Sequence, residues 1–379
     1  MKIQLNHKTN DESNLYLRAL WASLRKSYGK CAWQFMPYKD GKSKTVHIGF
    51  MDIGLGNTVE VSIQYEKKGV IKFLDFNSEL PEHEIQIIHD LCLSIDVNNL
   101  QKDFVISTVL NTGVGNFSST LGKGYRIFLT DTRENILEIS VTAFDVHDAG
   151  FIAGNKIQSI CDLLSVFINS YVKMGSLTCL NEFTNISVDT IYSENLDWID
   201  DHPREGDFLV LANYQKLIIE NLLLENIHEA FLNGASHFNN AAYLLKDFSF
   251  SHDATVDTAV VLYVSSLESC AAIQEVEKKS CKECGQVKYS IRRRVLDLVG
   301  DYLPNHLVKF IDDYYASRSK YLHEGRSSSK NIYFGTSLPQ LDPYSSSGCK
   351  IQTSIMPINL RDYVSYIFRK IAQEGIFKS

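Results

Sequence analysis

The apolar residues of this chain change their period along its length. Val59, Val61, Ile63 and Tyr65 alternate with Glu60, Ser62 and Gln64, which buries one face of a strand. Leu137, Ile139 and Val141 alternate with Glu138, Ser140 and Thr142 in the same way. By contrast, Leu307, Ile311, Tyr315 and Leu322 recur at spacings of four and seven, one stripe down a helix. A strand period does not sit still as a helix, so the two ends of the chain need different architectures.

Around the alternating runs the sequence reads as α+β. Glu66-Lys67-Lys68-Gly69 turns the first run into Val70-Ile71-Lys72-Phe73. Tyr125 to Thr130 is the expected partner of the second run, joined through residues 131–135. Pro81 to Leu93 reads as a helix, and a longer one is expected from Asp148 to Val172 on the stripe Ile157, Ile160, Cys161, Leu164, Ile168 and Tyr171. Trp198 to Asp207 is polar and acidic and carries Pro203 and Gly206, which suits a linker. From Phe208 the pattern is mainly helical, with a last helix from Asn359 to Glu374. The expected organisation is an α+β domain over residues 1–200, a linker over 201–207 and an all-α domain over 208–379. A chain of 379 residues suits two domains, at about 150 residues each.

No run approaches the ~18 uninterrupted apolar residues of a membrane span. The start, Met1-Lys2-Ile3-Gln4-Leu5-Asn6-His7-Lys8, lacks the apolar core of a signal peptide. Eight cysteines are scattered without a disulfide rhythm. The expectation is a cytoplasmic protein with no membrane partner.

The residue that most needs an explanation is Arg318. The helix expected from Pro304 carries it within the apolar stripe, between Tyr315 and Leu322. A guanidinium facing a core must be paired, or it is costly. Glu268 is the candidate partner, at the edge of the stripe formed by Val260, Val264, Leu267 and Ala271. His323 follows on the flank, in the last turn before Gly325.

The run Arg318, Ser319, Lys320-Tyr321-Leu322, His323 resembles the motif of the HEPN superfamily: Arg, a polar residue, three variable residues, His. Tyr315 ahead of the Arg, Leu322 before the His and Glu324-Gly325 after it make it similar to the Apea-like HEPN branch. The resemblance covers the chain from about Phe208 onward. It implies an all-α HEPN helical bundle and a metal-independent endoribonuclease that cleaves RNA by 2′-hydroxyl attack, with no cofactor required. In that reading His323 transfers protons, Arg318 holds the phosphate, and Ser319 orients the His or contacts the phosphate. Glu268 and Tyr315 support them. The resemblance also implies a homodimer that brings two motifs together, and a toxin-like role in prokaryotic antiviral defence. The competing reading is a non-cleaving RNA- or nucleotide-binding HEPN module that regulates a partner.

Charge is consistent with an RNA partner at this end. Residues 271–379 hold 17 Lys and Arg against 11 Asp and Glu, whereas the whole chain holds 38 against 45. Basic residues act locally on phosphate even in an acidic protein. Arg292, Arg293, Arg294, Lys320 and Arg326 are the candidate RNA contacts. Cys281 and Cys284 form half of a zinc knuckle, and a structural zinc needs four ligands. With no convincing fourth ligand nearby, the sequence favours free thiols. The acidic N-terminal domain lacks a catalytic constellation and is expected to sense a trigger, receive a regulatory partner, position the substrate or restrain the HEPN domain. Gly115 to Gly124 fails as a phosphate loop, because six residues separate Gly115 from Gly122 and Gly124 stands where Ser or Thr is required. The chain has neither a Gly-x-Ser-x-Gly elbow nor a His-Glu-x-x-His helix.

Overall fold

The computed structural model describes residues 1–29, 32–39, 41, 44–52, 54, 58–77, 80–187, 199, 201–246, 253–273, 291–325, 341, 343, 348 and 357–378. The β-rich part comes first and the helical part second. Two compact units are present: Met1–Phe104 with Ser140–Ile152, and Val105–Ile139 with Ala153–Ser379.

In the first unit, β1 (Lys2–Gln4) precedes α1 (Asn10–Tyr28). A capping box starts α1: the Glu12 N–H donates to the Thr9 hydroxyl at 3.1 Å, and the Thr9 N–H donates to the Glu12 carboxylate at 3.4 Å. Both ends of that exchange satisfy donors the first helical turn leaves open. Then come β2 (Ala32–Tyr38), β3 (Thr45–Asp52), β4 (Thr58–Lys67) and β5 (Val70–Asn77). They form an antiparallel sheet in the order β1-β5-β4-β3-β2. The alternation read over residues 59–65 lies in β4, and Val59, Val61 and Ile63 are buried. Lys67 pairs with Val70, so the turn into β5 is only two residues long.

Tyr16, Leu20 and Leu24 of α1 pack on Val61, Ile63 and Leu74 of that sheet. Burying each leucine contributes about 1.5–3 kcal/mol. α2 (Glu82–Leu93) and α3 (Val97–Leu100) follow. Arg18 and Arg25 of α1 make two-pronged ion pairs with Asp148 and Asp145, with N–O distances of 2.7–3.1 Å.

The second unit holds most of a second sheet, built from β6 (Lys102–Thr112), β8 (Thr120–Gly122), β9 (Tyr125–Leu129), β10 (Asn135–Ala143), β11 (Val172–Met174) and β12 (Thr178–Leu180). Its order is β11-β6-β10-β9-β8, with β12 also on β6. A small sheet joins β7 (Asn116–Phe117), β13 (Arg204–Glu205) and β14 (Phe208–Leu209).

Two expectations need correction here. The division between units falls inside β6, β10 and α4 (Val146–Phe167), not at 201–207. Residues 204–205 belong to the small sheet, whose backbone pairing ties them to their neighbours. The helix expected to reach Val172 stops at Phe167. Asn169 takes a left-handed backbone, φ 54°, and turns the chain into β11. Asn tolerates that conformation better than most residues.

The rest of the chain is helical: α5 (Asn213–Leu223), α6 (Glu229–Leu244), α7 (Asp253–Ala271), α8 (Ile291–Tyr302), α9 (Asn305–Glu324) and α10 (Pro357–Gln373). α7 packs against α6, α8, α9 and α10. At Gly234 of α6 an added Cβ would lie 2.6 Å from the Phe368 ring of α10 and 3.1 Å from the Ser266 carbonyl of α7. Glycine is what lets the three helices approach there. The Ser266 hydroxyl donates to the Gly234 carbonyl at 2.6 Å. Phe231, Phe238, Tyr263, Leu267, Val299, Ile311 and Phe368 fill the core beneath α8 and α9.

Candidate functional site

α9 begins after Pro304 and ends at Gly325, which adopts the left-handed conformation, φ 64°. A proline before the first turn and a glycine after the last suit a helix with these bounds. Ile311 and Tyr314 are its buried residues, and Tyr315 and Arg318 are half-buried. Leu322, expected on the core stripe, is 50% exposed. At 100° per residue the face that buries Ile311 and Tyr314 next meets Arg318, and Leu322 lies one turn beyond the packed region.

Arg318 is held by α7. Its Nη2 donates to Glu268 Oε2 at 2.8 Å. The Tyr315 hydroxyl donates to the other carboxylate oxygen, Oε1, at 2.7 Å. The guanidinium also lies 5.6 Å from the centre of the Tyr315 ring, within cation–π range. The side chains of Arg318 and Glu268 are 20% and 18% exposed. Burial first, and then the adjacent Glu268 carboxylate, push the Tyr315 phenol up to about 12. Tyr315 therefore stays a donor near neutral pH. One donor is left over: among the described residues, the buried Nε of Arg318 has no hydrogen-bond partner. A buried unsatisfied donor costs about 1–3 kcal/mol.

Ser319 is half-buried next to Arg318, while Lys320 and His323 are exposed. His323 is in the last turn of α9, so the helix end carries one fixed cation and one accessible imidazole.

The arginine triplet opens α8. Arg292 clamps Asp312 of α9 with two hydrogen bonds, 2.6 and 2.7 Å. The Asp312 carboxylate raises the Arg292 guanidinium above its ordinary range, and Arg292 holds the Asp312 carboxyl below its own. Arg293 lies 3.8 Å from Asp297 one turn on, with both side chains mostly exposed. Arg294 donates to the Ala271 carbonyl at the end of α7. All three arginines thus have partners within the chain. Asp312 was not anticipated, because its relation to Arg292 depends on how α8 packs on α9. Arg326, Cys281 and Cys284 lie outside the described residues. Among those described, no group of three or more His, Cys, Asp or Glu is arranged to hold a metal ion, and no helix is long and apolar enough to cross a membrane.

No protein-family model, curated protein or solved structure matches the chain.

Proposed function

We propose that this protein is a HEPN-type endoribonuclease whose reaction centre is the C-terminal end of α9. The observation that carries the reading is the Glu268–Arg318–Tyr315 cluster, about one and a half turns before the exposed His323 on the same helix. It fixes a cation at a helix end and leaves one of its buried donors without an acceptor. The part of the Arg318 side chain that stays exposed, about a fifth of it, is what a phosphate oxygen can reach.

The 2′-hydroxyl attacks phosphorus, the bond to the 5′-oxygen breaks, and a 2′,3′-cyclic phosphate and a 5′-hydroxyl result. His323 takes the 2′-hydroxyl proton or delivers one to the leaving 5′-oxygen, because imidazole titrates near neutrality. Arg318 stabilises the charge that grows on the equatorial oxygens. An in-line reaction benefits from an acid and a base on opposite sides of phosphorus. A homodimer with two α9 ends facing each other supplies both. The carboxylate of Glu268 offsets the repulsion between the two Arg318 side chains in that pairing. The toxin-like role in antiviral defence rests on the HEPN resemblance alone.

The test is to sequence the ends of cellular RNA after inducing the wild-type chain and His323→Ala. Cyclic-phosphate and 5′-hydroxyl ends that persist in EDTA and vanish with His323→Ala are the expected result. Full activity in the variant would overturn the mechanism. Undamaged RNA that is still bound by the wild-type chain would point to the non-cleaving module instead. Mixing His323→Ala chains with Arg318→Ala chains tests the shared site: activity should reappear in the mixture.

A further inference from the structure

The first turn of α8 reaches both helices that carry the Arg318 cluster. Arg292 holds Asp312 of α9 with two hydrogen bonds of 2.6 and 2.7 Å. Arg294 donates to the Ala271 carbonyl of α7. The two attachment points stand in the same relation to the cluster. Asp312 precedes Tyr315 by three residues, and Ala271 follows Glu268 by three. Three residues are just under one helical turn, about 4.5 Å along the axis. α8 therefore grips α9 and α7 about one turn away from the groups that meet between them, the Tyr315 hydroxyl and the Glu268 carboxylate.

Arg292 and Tyr315 are also close enough to act on each other electrically. Burial and then Glu268 raise the Tyr315 phenol, while the charges of Arg318 and Arg292 draw it down. An RNA contact needs an open guanidinium fork, and that of Arg292 is closed on Asp312. The Arg292 side chain is 51% exposed and that of Asp312 31%, so the pair adds little to overall stability. Its planar, two-pronged geometry fixes direction instead. It sets how far α9 can turn about its own axis relative to α8.

We infer that Arg292 and Arg294 are positioning residues for the Arg318 site: they brace α9 and α7 so that Tyr315 and Arg318 both meet Glu268. For its effect on rate the inference rests on the cleavage reading above. For its effect on the cluster it rests on the helix contacts alone. Neither arginine touches the reacting phosphate. Without the brace, the face of α9 that carries Tyr315 and Arg318 turns relative to Glu268. A small displacement of a group that stabilises a transition state lowers the rate steeply. Interactions made only in the transition state appear in kcat and leave the ground-state affinity for the strand unchanged.

Cleavage of a short single-stranded RNA by the full chain measures kcat and KM. Arg292→Gln and Asp312→Asn should each lower kcat about tenfold or more at a nearly unchanged KM. The two together should do no more than either alone. The exchange of Arg292→Asp with Asp312→Arg should recover most of the lost rate. Asp312→Asn is the deciding variant, because it releases Arg292 with its charge intact. An arginine that bound RNA would then hold the strand as well or better, so full kcat with an unchanged or lower KM would overturn the brace. Arg294→Lys keeps the charge but loses the guanidinium fork. Its kcat should also fall, and a wild-type value would overturn the part assigned to Arg294. A second measurement does not depend on the reaction. Among the described residues Asp312 and Glu268 share no hydrogen-bond partner. Asp312→Asn and Glu268→Gln should therefore be additive in urea denaturation unless brace and cluster are coupled. A non-additive loss is expected, and simple additivity would overturn the inference. Coupling in a chain that cleaves no RNA would uphold the brace and overturn the proposed reaction instead.

Discussion

Arg318 and Glu268, fifty positions apart in sequence, meet at 2.8 Å across two packed helices, each side chain about four-fifths buried. Removing the carboxylate leaves the cation without its counter-charge. Glu268→Ala is expected to cost about 2–4 kcal/mol, slightly less than for a fully buried pair because some solvent reaches both groups. Urea denaturation measures it. A loss below about 0.5 kcal/mol would mean that the pair does not hold α7 to α9.

His323→Ala should leave stability within about 0.5 kcal/mol of wild type, since the side chain is exposed at a helix end. RNA cleavage should nevertheless disappear. Parallel melting curves and RNA-end sequencing separate the two effects. A large fall in melting temperature would show that His323 has a structural role instead.

Gly325→Ala places a Cβ on a left-handed residue, φ 64°, with open space around it. The cost is conformational rather than steric, about 1 kcal/mol. Fraying of the last turn of α9 would move His323, so cleavage should fall more than stability does. Equal cleavage rates for the variant and the wild type would disconnect the helix end from the chemistry.

Tyr315 gives the site an alkaline limit. Its phenol ionises at about 12 in the folded protein against an ordinary 10.0. A raised folded value means that its contribution to stability is complete below pH 10 and is lost as pH rises from 10 to 12. Tyr315→Phe should flatten the stability profile over that window. An unchanged profile would show that Tyr315 does not ionise there.

Much of this could be read in the sequence, because local periodicity and end signals leave direct marks. β4, α2, α9 and α10 follow from alternation, stripes, Pro304 and Gly325. The Thr9–Glu12 spacing likewise marks the start of α1. Arg318 stood out because a charge on an apolar stripe is a local contradiction, and a stripe on an earlier helix pointed to Glu268. What stayed hidden depends on packing between distant segments. Asp312 has no fixed offset from Arg292, and nothing in the polar run 201–207 tells that part of it pairs with β14. The early end of α4 turns on a single asparagine, Asn169, whose left-handed backbone no periodicity announces.

The close approach at Gly234 has a consequence for the order of biosynthesis. The ring that sits against this glycine, Phe368, belongs to α10, the last helix described. α6 and α7 both leave the ribosome before it does, so the core they share at Gly234 lacks its closing ring until α10 follows.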